Sequence, residues 1–396
     1  MTSGALVHAF RRGAWHPSLD TATLPGDTGA RLALVPEIVV AADRRWWDGV
    51  APGLPAVPAD RRELLLKALH EFEHGVLDIG GLGPHSADDF RAALWRTAGI
   101  PAPLTDRWCA MLRAGLPERP RPEDDEALAL VALPGNTFTC LAAVLEQVER
   151  SAAVWVRPSR REPLSAARLV AALLRAGWPA ERIALYPTGR GALPGLIRRT
   201  DRQVVFGGSG PARSVRSLPG LTLHGPGRGC ALVPAHLRPD RAVEWLVPLI
   251  AADAGRFCSN VRTVVCAGPA QPLASRLAAA LDELHPDDWP LTVSREPGAA
   301  QRAARSVAER MRPGDRLLTR RPPVVAGPDG APCVTPHLVL VGDGADDPLR
   351  HPLIGHEAPF PFAAVVTASE RDAARIADGS LFVYEPPQSA ARRRTT

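Results

Sequence analysis

Cys258 stands in Gly255-Arg256-Phe257-Cys258-Ser259-Asn260, among glycine, arginine and serine and off any apolar stripe. A thiol in such surroundings is expected to be partly exposed and electropositive, with its pKa lowered toward the thiolate that attacks carbonyls. Cys266, inside the apolar run 264–267, reads instead as a core cysteine. Two glycine-rich segments point to a second chemistry. Tyr186 to Gly195, which contains Gly189 and Gly191, follows a strand signal and opens a helix signal, and Phe206-Gly207-Gly208-Ser209-Gly210 ends the next strand. Glycines there let backbone amides approach a pyrophosphate, although either segment alone also reads as a plain turn. Arg157-Pro158-Ser159-Arg160-Arg161 gathers three guanidinium groups within five residues. That run is either a solvated charge cluster or a pocket for the ribose or 2′-phosphate of a dinucleotide, which arginine's planar fork suits and which favours NADP.

These groups need a scaffold, and the order of elements supplies one. From Ala127 the pattern predicts strand 128–133, helix 140–150, strand 153–156, helix 165–176, strand 182–186, helix 192–199 and strand 203–206. Strands separated by single amphipathic helices imply right-handed crossovers and a doubly wound parallel sheet. Ligands in such sheets sit at the carboxyl ends of the strands, so the loops 134–139, 157–163, 187–191 and 207–211 are expected to surround one crevice. A second α/β unit follows from Gly225, with helix 240–254, strand 263–267, helix 273–284 and strands 338–341 and 363–366. The first 125 residues, with helices around 61–72, 87–97 and 104–114, read as a leader to this fold, joined to it by a proline-rich loop over 117–125. Domains are expected over 1–224 and 225–385, with a loose polar tail at 386–396.

Composition restricts the partners. Of 396 residues, 45% are hydrophobic and 22% charged, which suits a folded globular chain and excludes disorder as its main state. The net charge is +5, yet the arginines are scattered among 42 acids and form no stripe with interleaved aromatics, so no nucleic-acid partner is expected. No apolar run approaches a membrane span and no apolar stretch follows Arg11 and Arg12, so the expected location is the cytoplasm, with no membrane partner. The six cysteines have neither paired nor regular spacing, which argues against a disulfide framework or a zinc site.

Taken in order, these residues resemble the aldehyde dehydrogenase superfamily and, within it, the acyl-CoA reductase branch that includes the fatty acid reductase of bacterial luminescence. Leu133-Pro134-Gly135-Asn136 resembles the family's Pro-Trp-Asn motif, whose asparagine helps bind the oxyanion. Arg157-Pro158-Ser159 resembles the Lys-Pro-Ser strand end that holds the adenosine ribose, and Phe206 to Ser209 the Phe-Thr-Gly-Ser pyrophosphate loop. Gly255 to Ser259 resembles the nucleophile motif, and Glu357-Ala358-Pro359-Phe360-Pro361 the stretch whose glutamate binds the nicotinamide ribose. The resemblance runs over 127–377, roughly two-thirds of the chain.

The departures from the family narrow the expected chemistry. Oxidising members carry Glu-Leu-Gly-Gly-Lys where this chain reads His224-Gly225-Pro226-Gly227-Arg228, so the glutamate that activates the hydrolytic water is missing. Transfer to or from a thiol then replaces hydrolysis. Arg160 stands where a ribose-binding acid is expected, which again leans toward NADPH, with NAD as the alternative. The resemblance thus implies NADPH-dependent reduction of an acyl thioester, on CoA or a carrier protein, to an aldehyde, in a cleft between the two domains. Cys258 is the nucleophile, and Asn136 with the Cys258 backbone N–H stabilises the oxyanion. Arg157, Ser159, Arg160, Gly189, Gly191, Gly208, Ser209 and Glu357 are the expected cofactor contacts. His224 is either a substitute base or a hydrogen-bonded strand-end residue. Two alternatives stand beside this reading: NAD(P)-dependent aldehyde oxidation, and a catalytically silent scaffold subunit of the same fold. A homo-oligomer is compatible with all three.

Overall fold

Short apolar runs separated by single amphipathic helices pair in parallel, because each helix carries the chain back across the sheet before the next strand begins. The computed structural model describes residues 4–26, 29–54, 60–116, 124–207, 221–225, 227–284, 291–342 and 348–387. Its chain divides into two compact units, Met1–Gly225 and Pro226–Thr396.

In the first unit, a seven-stranded sheet has the order Leu221–His224, Arg202–Phe206, Asp124–Ala132, Ser151–Arg157, Ile183–Leu185, Ala9–Arg11, Ala14–His16. The first five strands are parallel. In chain order they run 5-4-1-2-3, the doubly wound arrangement expected of a dinucleotide sheet, with its switch point between Asp124–Ala132 and Arg202–Phe206. The central strands are buried on both faces, which explains their continuous apolar runs. The Leu141–Arg150 helix presents Leu141, Val144, Leu145 and Val148 to the sheet. The Leu164–Ala176 helix is buried on nearly every side and ends on Gly177 in the left-handed conformation.

The N-terminal segment is not a leader. Its hairpin Ala9–Arg11/Ala14–His16 extends the sheet antiparallel beyond Ile183–Leu185. Its helices Arg61–His74, Ala87–Ala98 and Ala102–Ala114 contribute buried apolar faces. Arg168, fully buried in the Leu164–Ala176 helix, fastens this layer by donating to the carbonyls of Phe72 at 2.6 Å, Gly75 at 2.7 Å and His85 at 2.8 Å. The sequence signal failed here because the strands are only three residues long. The expected loop over 117–125 lies outside the described residues up to 123, and Asp124 already opens a strand.

In the second unit the sheet order is Arg316–Leu317, His337–Leu340, Phe362–Thr367, Val261–Cys266, Gly229–Val233, Phe382–Tyr384, parallel except for its first strand. The helices Pro239–Ala251 and Ala270–Asp282 cover one face, with Leu246, Ile250, Leu273 and Leu277 in its core. Ala299–Ala308 and Glu370–Asp378 cover the other, with Ala300, Ala304, Val307 and Ile376. Those two helices and the strands Gly229–Val233 and Phe382–Tyr384 were not anticipated from the sequence. The tail from residue 388 lies outside the described residues. No helix among the described residues is long and apolar enough to cross a membrane.

Candidate active site

The nucleophile candidate sits where a helix gives way to a strand. The expected helix 240–254 ends at Ala251, and Asp253, Ala254 and Gly255 follow with φ of 53°, 56° and 66°. Left-handed backbone costs a non-glycine residue roughly 1–2 kcal/mol, so Asp253 and Ala254 hold this conformation only because the surroundings fix it. Asn260 supplies much of that restraint. Its buried side chain donates to the carbonyls of Leu249 at 3.2 Å and Ala252 at 3.0 Å, and accepts from the Phe257 N–H at 2.8 Å. Tyr384 closes the other side by donating its hydroxyl to the Ser259 carbonyl at 2.9 Å. Cys258, between these anchors, is exposed, as expected.

Beneath the turn lies Arg262, only 1% exposed. It donates to the Phe360 carbonyl at 3.0 Å and to the Gly255 carbonyl, tying the 360 segment to the left-handed turn. Burial pulls its pKa down to about 10, which still leaves it charged at neutral pH. The Arg262 charge acts on Glu357, which accepts a hydrogen bond from the Gly227 N–H. Gly227 in turn lies against the Cys258 backbone, where any Cβ would fall on the Cys258 carbonyl and Cα. Glycine is therefore required at 227 by close approach of two chain segments.

The thiol's expected low pKa is corrected. Desolvation, then the Glu357 carboxylate, push the Cys258 pKa up, against the opposing pull of the Cys258 and Ser259 backbone amides and Arg262. Burial also raises Glu357, while Arg262 and the Gly227 amide hold it down. Arg262, Asn260, Tyr384 and Gly227 were missed by sequence reasoning. An arginine inside the mostly apolar run Val261–Cys266 was the available signal, since a buried arginine needs partners.

In the first unit, the loops at the carboxyl ends of the parallel strands converge. Asn136 is half-buried in the loop after Asp124–Ala132. Phe138 anchors that loop by packing against Phe72, Phe90 and Trp108, with ring centroids 5.9, 5.9 and 5.2 Å away. At Gly135 a Cβ would strike the Ser159 hydroxyl, so this loop abuts the next one. Ser159 accepts from the Arg161 N–H at 3.2 Å, and Arg157 crosses to the third loop, donating to the Thr188 hydroxyl at 2.9 Å and the Gly189 carbonyl at 3.4 Å. Arg160 is half-buried beside them.

The glycine segment differs from expectation. In place of helix 192–199 there is a 3₁₀ turn, Arg190–Ala192, and a five-residue helix, Leu193–Ile197. Pro194 and Gly195 inside that helix limit its length, and it is too short to present an anion-binding terminus. Nothing lies within 4 Å of where a Cβ would stand at Gly189 or Gly191, so the turn offers bare backbone, which fits a dinucleotide laid along it. Gly208 and Ser209 lie outside the described residues. His224 ends the edge strand, its ring stacked on Phe206 at 4.5 Å and 11°, beside a cavity of about 240 Å³ that Leu112, Ala142 and Glu146 also line. Among the described residues no cluster could hold a metal.

No family model and no curated protein matches the sequence. Solved structures do match the fold over nearly its whole length. An NAD-dependent benzaldehyde dehydrogenase from Corynebacterium glutamicum is 15% identical, with 96% of this chain and 89% of that one aligned at a TM-score of 0.77. A methylmalonate-semialdehyde dehydrogenase from Oceanimonas doudoroffii is 15% identical, covering 98% and 86% at 0.76. An aldehyde dehydrogenase from Bacillus cereus is 12% identical, covering 97% and 89% at 0.75. The chain adopts the aldehyde dehydrogenase fold.

Proposed function

We propose that the protein is an aldehyde dehydrogenase-like oxidoreductase that reduces an acyl thioester, carried by CoA or by a carrier protein, to an aldehyde through an acyl-enzyme on Cys258. One observation carries this reading: the exposed thiol is held in a turn braced by Asn260, Tyr384 and Arg262, with Gly227 against its backbone, while the sequence 224–228 around that glycine has no carboxylate. The resemblance puts the hydrolytic base on that segment, so an acyl group on Cys258 has a thiol as its exchange partner.

Cys258 attacks the thioester carbon and the carrier thiolate departs. The Cys258 backbone N–H and the Asn136 amide are assigned to the oxyanion, an interaction whose loss typically costs ~3–4 kcal/mol per donor. Ser159, Arg160, Gly189 and Gly191 are assigned to the dinucleotide, with Gly208 and Ser209 on its pyrophosphate, Glu357 on the nicotinamide ribose and Arg157 fixing the loops around it. NADPH bound there supplies the hydride that the acyl group must receive. Arg160 on the adenosine side favours the 2′-phosphate and hence NADPH over NADH.

The test is to supply an aldehyde with NADP, with and without a free thiol such as CoA. The reading expects NADPH to appear only when the thiol is present, with a thioester as product. Free acid formed without thiol would overturn it and assign the protein to aldehyde oxidation. Failure of any dinucleotide to bind in calorimetry would assign it to the silent scaffold.

A further inference from the structure

Gly135 stands beside Asn136 and is held to glycine by a neighbour, not by its own backbone. Its φ lies outside the left-handed region, so an alanine could adopt the same conformation. What excludes a side chain is the next loop: a Cβ at 135 would fall on the Ser159 hydroxyl, 3.1 Å from the Ser159 Cβ and 3.0 Å from the Arg161 Cβ. Where the Pro-Trp-Asn motif has tryptophan, this chain has the one residue that admits the approach.

The sheet builds that approach. Ala132 pairs with Arg157, the Leu133 N–H donates to the Arg157 carbonyl at 2.9 Å, and the two loops meet again at Gly135 and Ser159. Ser159 is itself fixed, because its hydroxyl accepts from the Arg161 N–H at 3.2 Å while Arg157 is tied to the Thr188 hydroxyl at 2.9 Å. On the far side of Asn136, Phe138 is locked among Phe72, Phe90 and Trp108, and the Thr139 N–H donates to the Thr137 hydroxyl at 3.1 Å. The backbone of Asn136 therefore has a fixed point on each side, and one of the two belongs to the loop assigned to the dinucleotide.

Resting on the thioester reading above, we infer that Gly135 and Ser159 form the contact that couples cofactor binding to oxyanion binding: the Ser159 side chain, seated against the Gly135 Cα, sets where the Asn136 amide stands. Gly135 is a positioning residue that acts through Asn136 and touches no substrate. Closely packed atoms leave no slack to absorb a shift, so the position of one loop dictates that of the other. A dinucleotide bound on Ser159 and Arg160 steadies both loops, and with them the Asn136 donor.

The experiment compares the wild type with Gly135→Ala, Ser159→Gly and the double variant. Acylation of Cys258 by the N-acetylcysteamine thioester of hexanoic acid, without nucleotide, reads the oxyanion donor. Alkylation of Cys258 by iodoacetamide forms no oxyanion and reports whether the protein is intact. Amide hydrogen exchange, with and without saturating oxidised NADP, reads the two loops directly. Gly135→Ala slows acylation by ~10-fold or more, because the added Cβ displaces Asn136, and leaves alkylation unchanged. Ser159→Gly loses the contact without a collision and slows acylation less. The double variant acylates as fast as Ser159→Gly and faster than Gly135→Ala, since removing the serine side chain makes room for the Cβ; such a rescue marks two residues in contact. In the wild type NADP protects the amides of 133–140 along with those of 157–161, and in both single variants the protection of 133–140 is lost.

Unchanged acylation in Gly135→Ala, or a double variant no faster than Gly135→Ala, overturns the proposal. So does NADP that fails to protect 133–140 in the wild type. Should Gly135→Ala not fold, Ser159→Gly decides alone: protection of 133–140 that survives in it overturns the coupling. If the thioester acylates none of the four proteins while NADP protects both loops in the wild type and only 157–161 in the single variants, the thioester reading fails and the link between the loops stands.

Discussion

Asn260 illustrates how much of this site is built from residues that perform no chemistry. Its three hydrogen bonds replace those that the left-handed turn takes from the end of the preceding helix, and they fix the backbone that carries Cys258. Asn260→Ala leaves two carbonyls and an amide without that partner, at about 1–3 kcal/mol in urea unfolding. It also slows acylation of Cys258 by ~10-fold or more, because the turn no longer holds the sulfur in place. Tyr384→Phe, which loses one bond to Ser259, costs about 1 kcal/mol or less and slows acylation less than Asn260→Ala does. Equal stability and reactivity of Asn260→Ala and the wild type would remove Asn260 from the site. Cys258 was legible in the sequence because its neighbours are polar. Asn260 was not, because its partners exist only once Asp253 and Ala254 take positive φ, a conformation their residue types do not announce.

At the scale of elements, the Asn136 loop depends on a layer of helices that sequence reasoning set aside. Phe138 plugs that loop into Phe72, Phe90 and Trp108, each from a different N-terminal helix. The same layer contains His85, 4% exposed, with neither ring nitrogen hydrogen-bonded and Arg168 beside it. Burial, then the Arg168 charge, pull its pKa down to about 4 from an ordinary 6.5. Below pH 6.5 the unfolded chain therefore takes up a proton that the folded chain refuses, so stability is full above that pH and is lost as pH falls toward 4. The loss at pH 5 is about 2 kcal/mol from this residue. Urea unfolding at pH 7 and pH 5 measures it, and His85→Leu reduces the difference between the two by that amount; an equal difference in both proteins would contradict the assignment. The helices themselves were legible from apolar periodicity. Their attachment was not, since it runs through three-residue strands and a buried arginine with no pattern of its own.

For the molecule as a whole, the alternation of strands and helices after Ala127 was enough to foretell the doubly wound sheet, because right-handed crossovers leave few topologies open. The strand order 5-4-1-2-3 then places the Asn136 loop and the end of Arg202–Phe206 at the switch point, where such sheets bind ligands. The edge strands Arg316–Leu317 and Phe382–Tyr384 escaped because they are only two and three residues long, and the Ala299–Ala308 helix because its residues are mostly polar or alanine. At 12–15% identity to the enzymes it resembles, the chain keeps their fold over nearly its whole length. The proposed thioester chemistry rests on the absence of a carboxylate from His224-Gly225-Pro226-Gly227-Arg228.

The central claim is covalent reduction of a thioester at Cys258, and loss of NADPH absorbance with a panel of acyl-CoA thioesters, run beside Cys258→Ala, tests it most directly. The account predicts NADPH consumption matched by aldehyde formation in the wild type, and neither in the alanine variant. Reduction that persists in Cys258→Ala, or a wild type that neither turns over nor carries an acyl adduct on Cys258 by mass spectrometry, would contradict it.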